Sequence, residues 1–166
     1  MTDDEAMGES MYMLWAQDMK SKIDKFGHAV IGVFNTPDDP PGPPFTYTIG
    51  MFEKYGFEIL VFGMPHQFAG MILNDIGDML RDGGKLELNI PDDRWANMPV
   101  KFMETDDTAH GLFVQADNYY EQKVRVLQLV LPDKNGKFFD EAGYDHEYMS
   151  HRQPICTTTQ HPSQLH

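Results

Sequence analysis

The chain is 166 residues long, 41% hydrophobic and 23% charged, the balance of an ordinary globule with enough chain to bury ~70% of its unfolded surface. Its 26 acidic residues against 13 basic ones give a net charge of −13 with no basic cluster, which argues against duplex nucleic acid, since phosphates are bound mainly through Lys and Arg. No apolar run approaches the ~20 residues that span a bilayer, the acidic Met1-Thr2-Asp3-Asp4-Glu5 is unlike a basic leader, and the lone Cys156 excludes an internal disulfide or a cysteine metal cluster; the expected location is the cytoplasm, with no membrane partner.

Tyr12, Trp15, Met19, Ile23 and Phe26 recur at spacings of three and four, predicting an amphipathic helix over 9–25 that stops at Gly27. The run 28–34, β-branched and bounded by Gly27 and Asn35, reads as a buried strand. The stiff segment Pro40-Pro41-Gly42-Pro43-Pro44 then enters a second strand, 45–50, where Phe45, Tyr47 and Ile49 alternate with Thr46 and Thr48. A turn at Lys54-Tyr55-Gly56 leads to a third strand, 57–62, and short links favour an antiparallel meander.

Gly63-Met64-Pro65-His66 opens a second helix, Pro65 suiting its first turn and Phe68, Ile72, Ile76, Met79 and Leu80 forming its apolar face, up to Gly83-Gly84. Lys85–Ile90 alternates as a half-exposed strand, and 100–103 is a further short one. Thr105-Asp106-Asp107 suits the cap of a helix over about 107–119. The run 124–131 is the strongest strand, and 132–136 is its turn. Periodicity is lost beyond 140, and 156–166 reads as a flexible tail. The expectation is one α+β domain, residues 1–155, with a mainly antiparallel sheet and about three helices packed on it.

Known catalytic signatures are missing. There is no G-x-S-x-G elbow, P-loop, G-x-G-x-x-G turn or H-E-x-x-H. His66 and His110 are the catalytic candidates as acid or base, and His66 also sits where a helix N-terminus attracts anions. Tyr47, Thr48 and Tyr120 offer ring and hydroxyl contacts to a ligand, while Arg125, Gln128 and Asp133 offer polar ones around the strongest strand. Gln128 also has a structural reading, as a buried bond to a neighbouring loop. His146 and His151, five apart beside Asp145 and Glu147, fit one helix face poorly and read as surface decoration rather than a metal site. No metal and no cofactor is expected.

Several stretches together carry a family likeness: Pro41-Gly42-Pro43-Pro44-Phe45-Thr46-Tyr47-Thr48-Ile49-Gly50, residues 59–65, Leu73-Asn74-Asp75 with Asp82-Gly83-Gly84, residues 126–133 followed by Gly136, and Gln153-Pro154. Over residues 27 to about 155 the chain resembles domain of unknown function 4262. Phe138-Phe139-Asp140 departs from it, standing where the family tends to have a proline–tryptophan pair. The resemblance implies a small cytosolic protein of bacteria or phages and assigns no activity.

The expected function is binding of a small anionic metabolite, concretely a phage-type sponge for a bacterial immune signalling nucleotide. The alternatives are a hydrolase acting on such a nucleotide and an acidic protein-interaction module; a homo-oligomer is compatible with each. The expected site is a rim of the sheet where 40–50, 63–68 and 132–145 gather.

Overall fold

The computed structural model describes residues 2–34, 43–106 and 119–157. Its first element is α1, Asp3–Phe26, which starts about two and a half turns before the apolar stripe does. Thr2 explains the early start: its hydroxyl accepts from Glu5 N while Glu5 reaches back to Thr2 N, a reciprocal capping box. Gly27, at φ 93°, ends the helix as expected.

The strands are β1 (Ala29–Val33), β2 (Phe45–Ile49), β3 (Glu58–Phe62), β4 (Lys101–Glu104) and β5 (Val126–Val130), in the order β1-β2-β3-β5-β4. The β1-β2-β3 meander is antiparallel. β5 then joins β3 in parallel, and β4 closes the edge antiparallel to β5. Between β2 and β3 the expected turn is one helical turn, α2, Phe52–Tyr55. After β3 comes α3, His66–Arg81, and near the C-terminus a short α4, His146–Met149. The fold is therefore α+β, with a five-stranded mixed sheet between helical layers. The helix expected over 107–119 lies outside the described residues apart from its last position. No helix among the described residues is long and apolar enough to cross a membrane.

Strand periodicity divides the core in two. Phe45, Tyr47, Ile49, Leu60, Phe62 and Val126 face α1 through Met19 and Ile23. Ile59, Val61 and Leu129 face α3 through Ala69, Leu73, Ile76 and Leu80. This corrects the expected face of α3. Phe68 is exposed, and the buried stripe runs through the small residues Ala69 and Gly77. Small residues let the helix approach the sheet until His28 fills the gap: its Nε2 lies 2.8 Å from Asn74 Oδ1, and a Cβ on Gly77 would lie 2.4 Å from its ring. Gly77→Ala should therefore destabilise by ~1–3 kcal/mol through overpacking, although alanine is the better helix former by ~1 kcal/mol. Chemical denaturation of the two proteins measures the sign.

A second correction concerns Lys85–Ile90, which is not a strand. Asn89 is left-handed at φ 64° and Pro91 follows, so pairing is limited to one bridge, Leu88 to Phe102. Leu86 and Leu88 still pack against the α3 core, which accounts for the alternation. Pro65 is the N-cap of α3 rather than a first-turn residue. Cys156 and Thr157 belong to the packed body, Thr157 bridging to Thr105; residues 158–166 lie outside the described residues.

Candidate functional site

The registers define two rims. Phe45 pairs with Phe62, Val33 with Phe45 and Lys101 with Val130, so Pro43-Pro44, Gly63–His66 and the chain after β5 leave from one rim. A Cβ on Gly63 would lie 3.6 Å from Leu131 and 3.5 Å from the Arg152 carbonyl, which ties 63 to the 131–152 region. The other rim carries Gly50–Tyr55, Glu58, Arg125 and Tyr120.

The sequence candidates divide between these places. His66 and Asp133 are on the first rim. Thr48, Tyr120 and Arg125 are on the second. Tyr47 and Gln128 are in the core, 1% and 0% exposed. They form no single constellation. Residues 40–42 and His110 lie outside the described residues.

Several candidates have structural partners. Thr48 Oγ1 donates to Glu58 Oε1 at 2.7 Å and accepts from Ile59 N. Arg125 forms a two-pronged, solvent-facing ion pair with Glu104, both prongs at 2.8 Å. Gln128 donates to Pro154 O and accepts from Cys156 N, each at 2.8 Å, so its structural reading holds. His66 is a positioned imidazole: Nδ1 is 3.1 Å from Thr46 Oγ1, the Phe34 ring meets it in a T-shape at 5.8 Å, and the ring lies so close over Gly32 that a Cβ there would be 2.6 Å from Nδ1.

Asp133 organises the loop that follows β5. Oδ1 accepts from Asn135 N and Lys137 N at 2.9 Å, and Oδ2 from Asp145 N at 2.8 Å. Burial raises its pKa, and these three backbone donors outweigh burial and leave it below the usual carboxylate range. Gln153 fastens the returning chain to the end of β5, accepting from Leu131 N at 2.6 Å and donating to Leu131 O at 3.0 Å. Asp145 caps α4 by accepting from Tyr148 N.

Between these two fastened segments opens a cleft of about 510 Å³. Phe139, Tyr144 and His146 give it ring surfaces, Tyr144 and His146 meeting edge to face at 4.7 Å. Asp140 and Glu141 give it acceptors, and Gln153, Pro154 and Ile155 are also in its wall. None of its lining residues is Lys or Arg. Of the basic side chains nearest in sequence, Lys134 and Arg152 are held over the Tyr148 ring, at 5.2 and 3.8 Å from its centroid, and Lys137, two residues before Phe139, is exposed. Among the described residues no group of three or more His, Cys, Asp or Glu could hold a metal ion. Sequence reasoning included one wall of the cleft in its 132–145 loop but missed the other, 146–155, which has no periodicity; the pair Gln153-Pro154 was its one visible mark.

Sequence reasoning also missed Glu58, which is fully buried in the second rim. Five donors converge on its carboxylate: Thr48 Oγ1 and Met51 N on Oε1, and Gly50 N, Phe52 N and the Tyr120 hydroxyl on Oε2, at 2.7–3.2 Å. No cation is among them. Burial pushes its pKa up to about 7 against the pull of those donors, and the adjoining Tyr120 hydroxyl is raised too, by burial and by Glu58. A carboxylate in so apolar a strand needs partners, and that was the available signal.

The comparisons bear on identity. The family model described as Domain of unknown function (DUF4262) matches residues 22–145. No curated protein and no solved structure gives a significant match. The match takes in the whole five-stranded sheet, α3 and the Asp133 loop: the chain belongs to the DUF4262 family.

Proposed function

We propose that this protein binds a small ring-bearing metabolite in the cleft between residues 139–144 and 146–155. One observation carries the reading: a concavity of about 510 Å³ falls within the ~300–1,000 Å³ of small-molecule sites, and its walls are fastened to the sheet by buried Asp133 and Gln153. The lining favours the nucleoside part of a nucleotide. Phe139, Tyr144 and His146 suit a flat ring, while Asp140 and Glu141 suit hydroxyl and amino donors. With no Lys or Arg in the lining, phosphates of a signalling nucleotide would face outward. In this reading the chain sequesters its ligand intact.

Calorimetry against paired nucleosides and nucleotides tests the proposal. Nucleosides and their nucleotides should bind within about tenfold of each other, a difference of ~1.4 kcal/mol. Ala142→Trp, at an exposed lining position, should abolish binding with an unchanged melting curve. Absence of binding across the panel, or a filled cleft that still binds, would sink the reading.

A second reading, hydrolysis of such a nucleotide, is favoured by the positioned imidazole of His66. The ligand recovered after denaturation distinguishes the two: intact ligand supports sequestration, and product that disappears in His66→Ala supports hydrolysis.

A further inference from the structure

The first half of α1 buries none of its residues. Every residue from Thr2 to Leu14 is exposed, and the helix's buried residues are Met19 and Ile23. Three turns of helix standing alone are marginal in water even in an alanine-rich sequence, and this one contains Gly8, which costs a further ~1 kcal/mol relative to alanine. The capping box at Thr2 and Glu5 offsets only part of that. Yet the same half carries large apolar side chains. Met7, Met11 and Leu14 are 63%, 64% and 66% exposed, and their spacing of four then three places them in one stripe. At 100° per residue this stripe points roughly 110° away from the face that Trp15, Met19 and Ile23 turn to the sheet. It is therefore a second apolar seam.

The charges along α1 say what covers it. Asp3, Asp4, Glu5 and Glu9 occupy the first half, and Lys20, Lys22 and Lys25 the second, where Asp18 and Asp24 pair with two of those lysines. A parallel neighbour would stack acid on acid. An antiparallel copy of the same helix would set each acidic end beside the lysine-bearing end of the other. With Met11 opposite Leu14 of the second copy, Asp3 falls opposite its Lys22 and Glu5 opposite its Lys20, and Met7 meets the stem of its Asp18, which Lys22 neutralises at the end of the seam. Such a contact is isologous and closes with two copies.

We propose that the exposed seam of α1, through Met7, Met11 and Leu14, joins two copies of this chain in an antiparallel helix pair. The seam precedes residue 22, where the family match begins, so the proposal is independent of the cleft and of what the cleft binds.

Sedimentation velocity of the full chain over a concentration series tests it. A monomer–dimer equilibrium with a Kd on the order of 10 µM is expected, and the helical circular dichroism signal should rise with dimerisation. Met11→Lys with Leu14→Lys should leave a monomer at every concentration and abolish the concentration dependence of the helical signal. Both side chains are exposed, so the melting temperature measured at low concentration should not change. For orientation, mixing Met11→Cys with Leu14→Cys protein under oxidising conditions should yield mainly the mixed disulfide. Three results would overturn the proposal: a wild-type monomer up to about 200 µM, a dimer that survives the double lysine variant, or disulfides that form preferentially between like positions.

Discussion

Glu58→Gln should destabilise the protein by roughly 3 kcal/mol, although it changes one buried atom. The carboxylate presents two oxygens to five donors. An amide keeps one acceptor and turns the other into an NH₂ group, which accepts from nothing. Gly50 N and Phe52 N then face a donor, and each unsatisfied buried N–H costs ~1–3 kcal/mol. A protonated Glu58 is a different case, because both of its oxygens still accept and its hydrogen can go to the Tyr120 oxygen. The pH dependence follows from that difference. Burial raises the folded-state pKa from 4.5 to about 7, so the folded protein binds a proton that the unfolded chain has released. The stability contributed by this group is complete below about pH 4.5 and is lost as pH rises through 7; at ~1.4 kcal/mol for each pKa unit the loss is on the order of 3 kcal/mol. Urea unfolding at pH 5 to 8 measures both effects. The wild-type profile should fall more steeply with pH than that of Glu58→Gln, because only the wild type has the titrating group. Parallel profiles, or equal stability at pH 5, would show that the cage does not hold the fold as argued.

This cage also shows where the sequence was opaque. The strands were legible because Phe45, Tyr47 and Ile49 alternate with threonines, and because 59–62 and 126–130 are apolar enough to be buried on both faces. The gathering of 43–45, 63–66 and the Asp133 loop on one rim was expected from the clustering of connections at strand ends, and the Asp133 loop reaches that rim because β5 runs parallel to β3. Glu58 was not legible as a centre because three of its five partners are backbone N–H groups, which every residue carries, brought together by the fold at Gly50–Phe52. The buried face of α3 was misread for a related reason. Large residues such as Phe68 dominate a periodicity argument, whereas contact with the sheet is set by Ala69 and Gly77, whose smallness matters only once His28 is placed against them. The alternation of 85–90 was real, but it reflects Leu86 and Leu88 packing under α3 rather than a ladder. The site candidates scattered because hydroxyls, amides and guanidines in a sequence do not say whether their partner is a ligand or the chain itself. Here Thr48, Tyr120, Arg125, Gln128 and Asp133 all hold the chain.

Gln128→Ala should lower stability by about as much as the Glu58 variant, and it separates structural support from ligand contact. Gln128 sits in the middle of β5, fully buried, and joins the sheet to the returning segment at two points: its amide donates to Pro154 O and its oxygen accepts from Cys156 N. Truncation strands a half-buried carbonyl and a buried N–H, up to ~1–3 kcal/mol each, and leaves a cavity as well. A loss of roughly 3 kcal/mol corresponds to a melting temperature lower by ~6–12 °C for a chain of this size. Because Gln153, Pro154 and Ile155 are in one wall of the cleft, the variant acts on ligand binding only through the position of that wall. Well below the melting transition, affinity for a bound nucleoside should change by less than about threefold, under ~0.7 kcal/mol. The outcome that reverses this assignment is a melting curve like the wild type's together with more than tenfold weaker binding. Gln128 would then be reading the ligand, and the pair of bonds from Gln153 to Leu131 together with the Thr157–Thr105 bridge would be what keeps Cys156 and Thr157 buried beside the sheet.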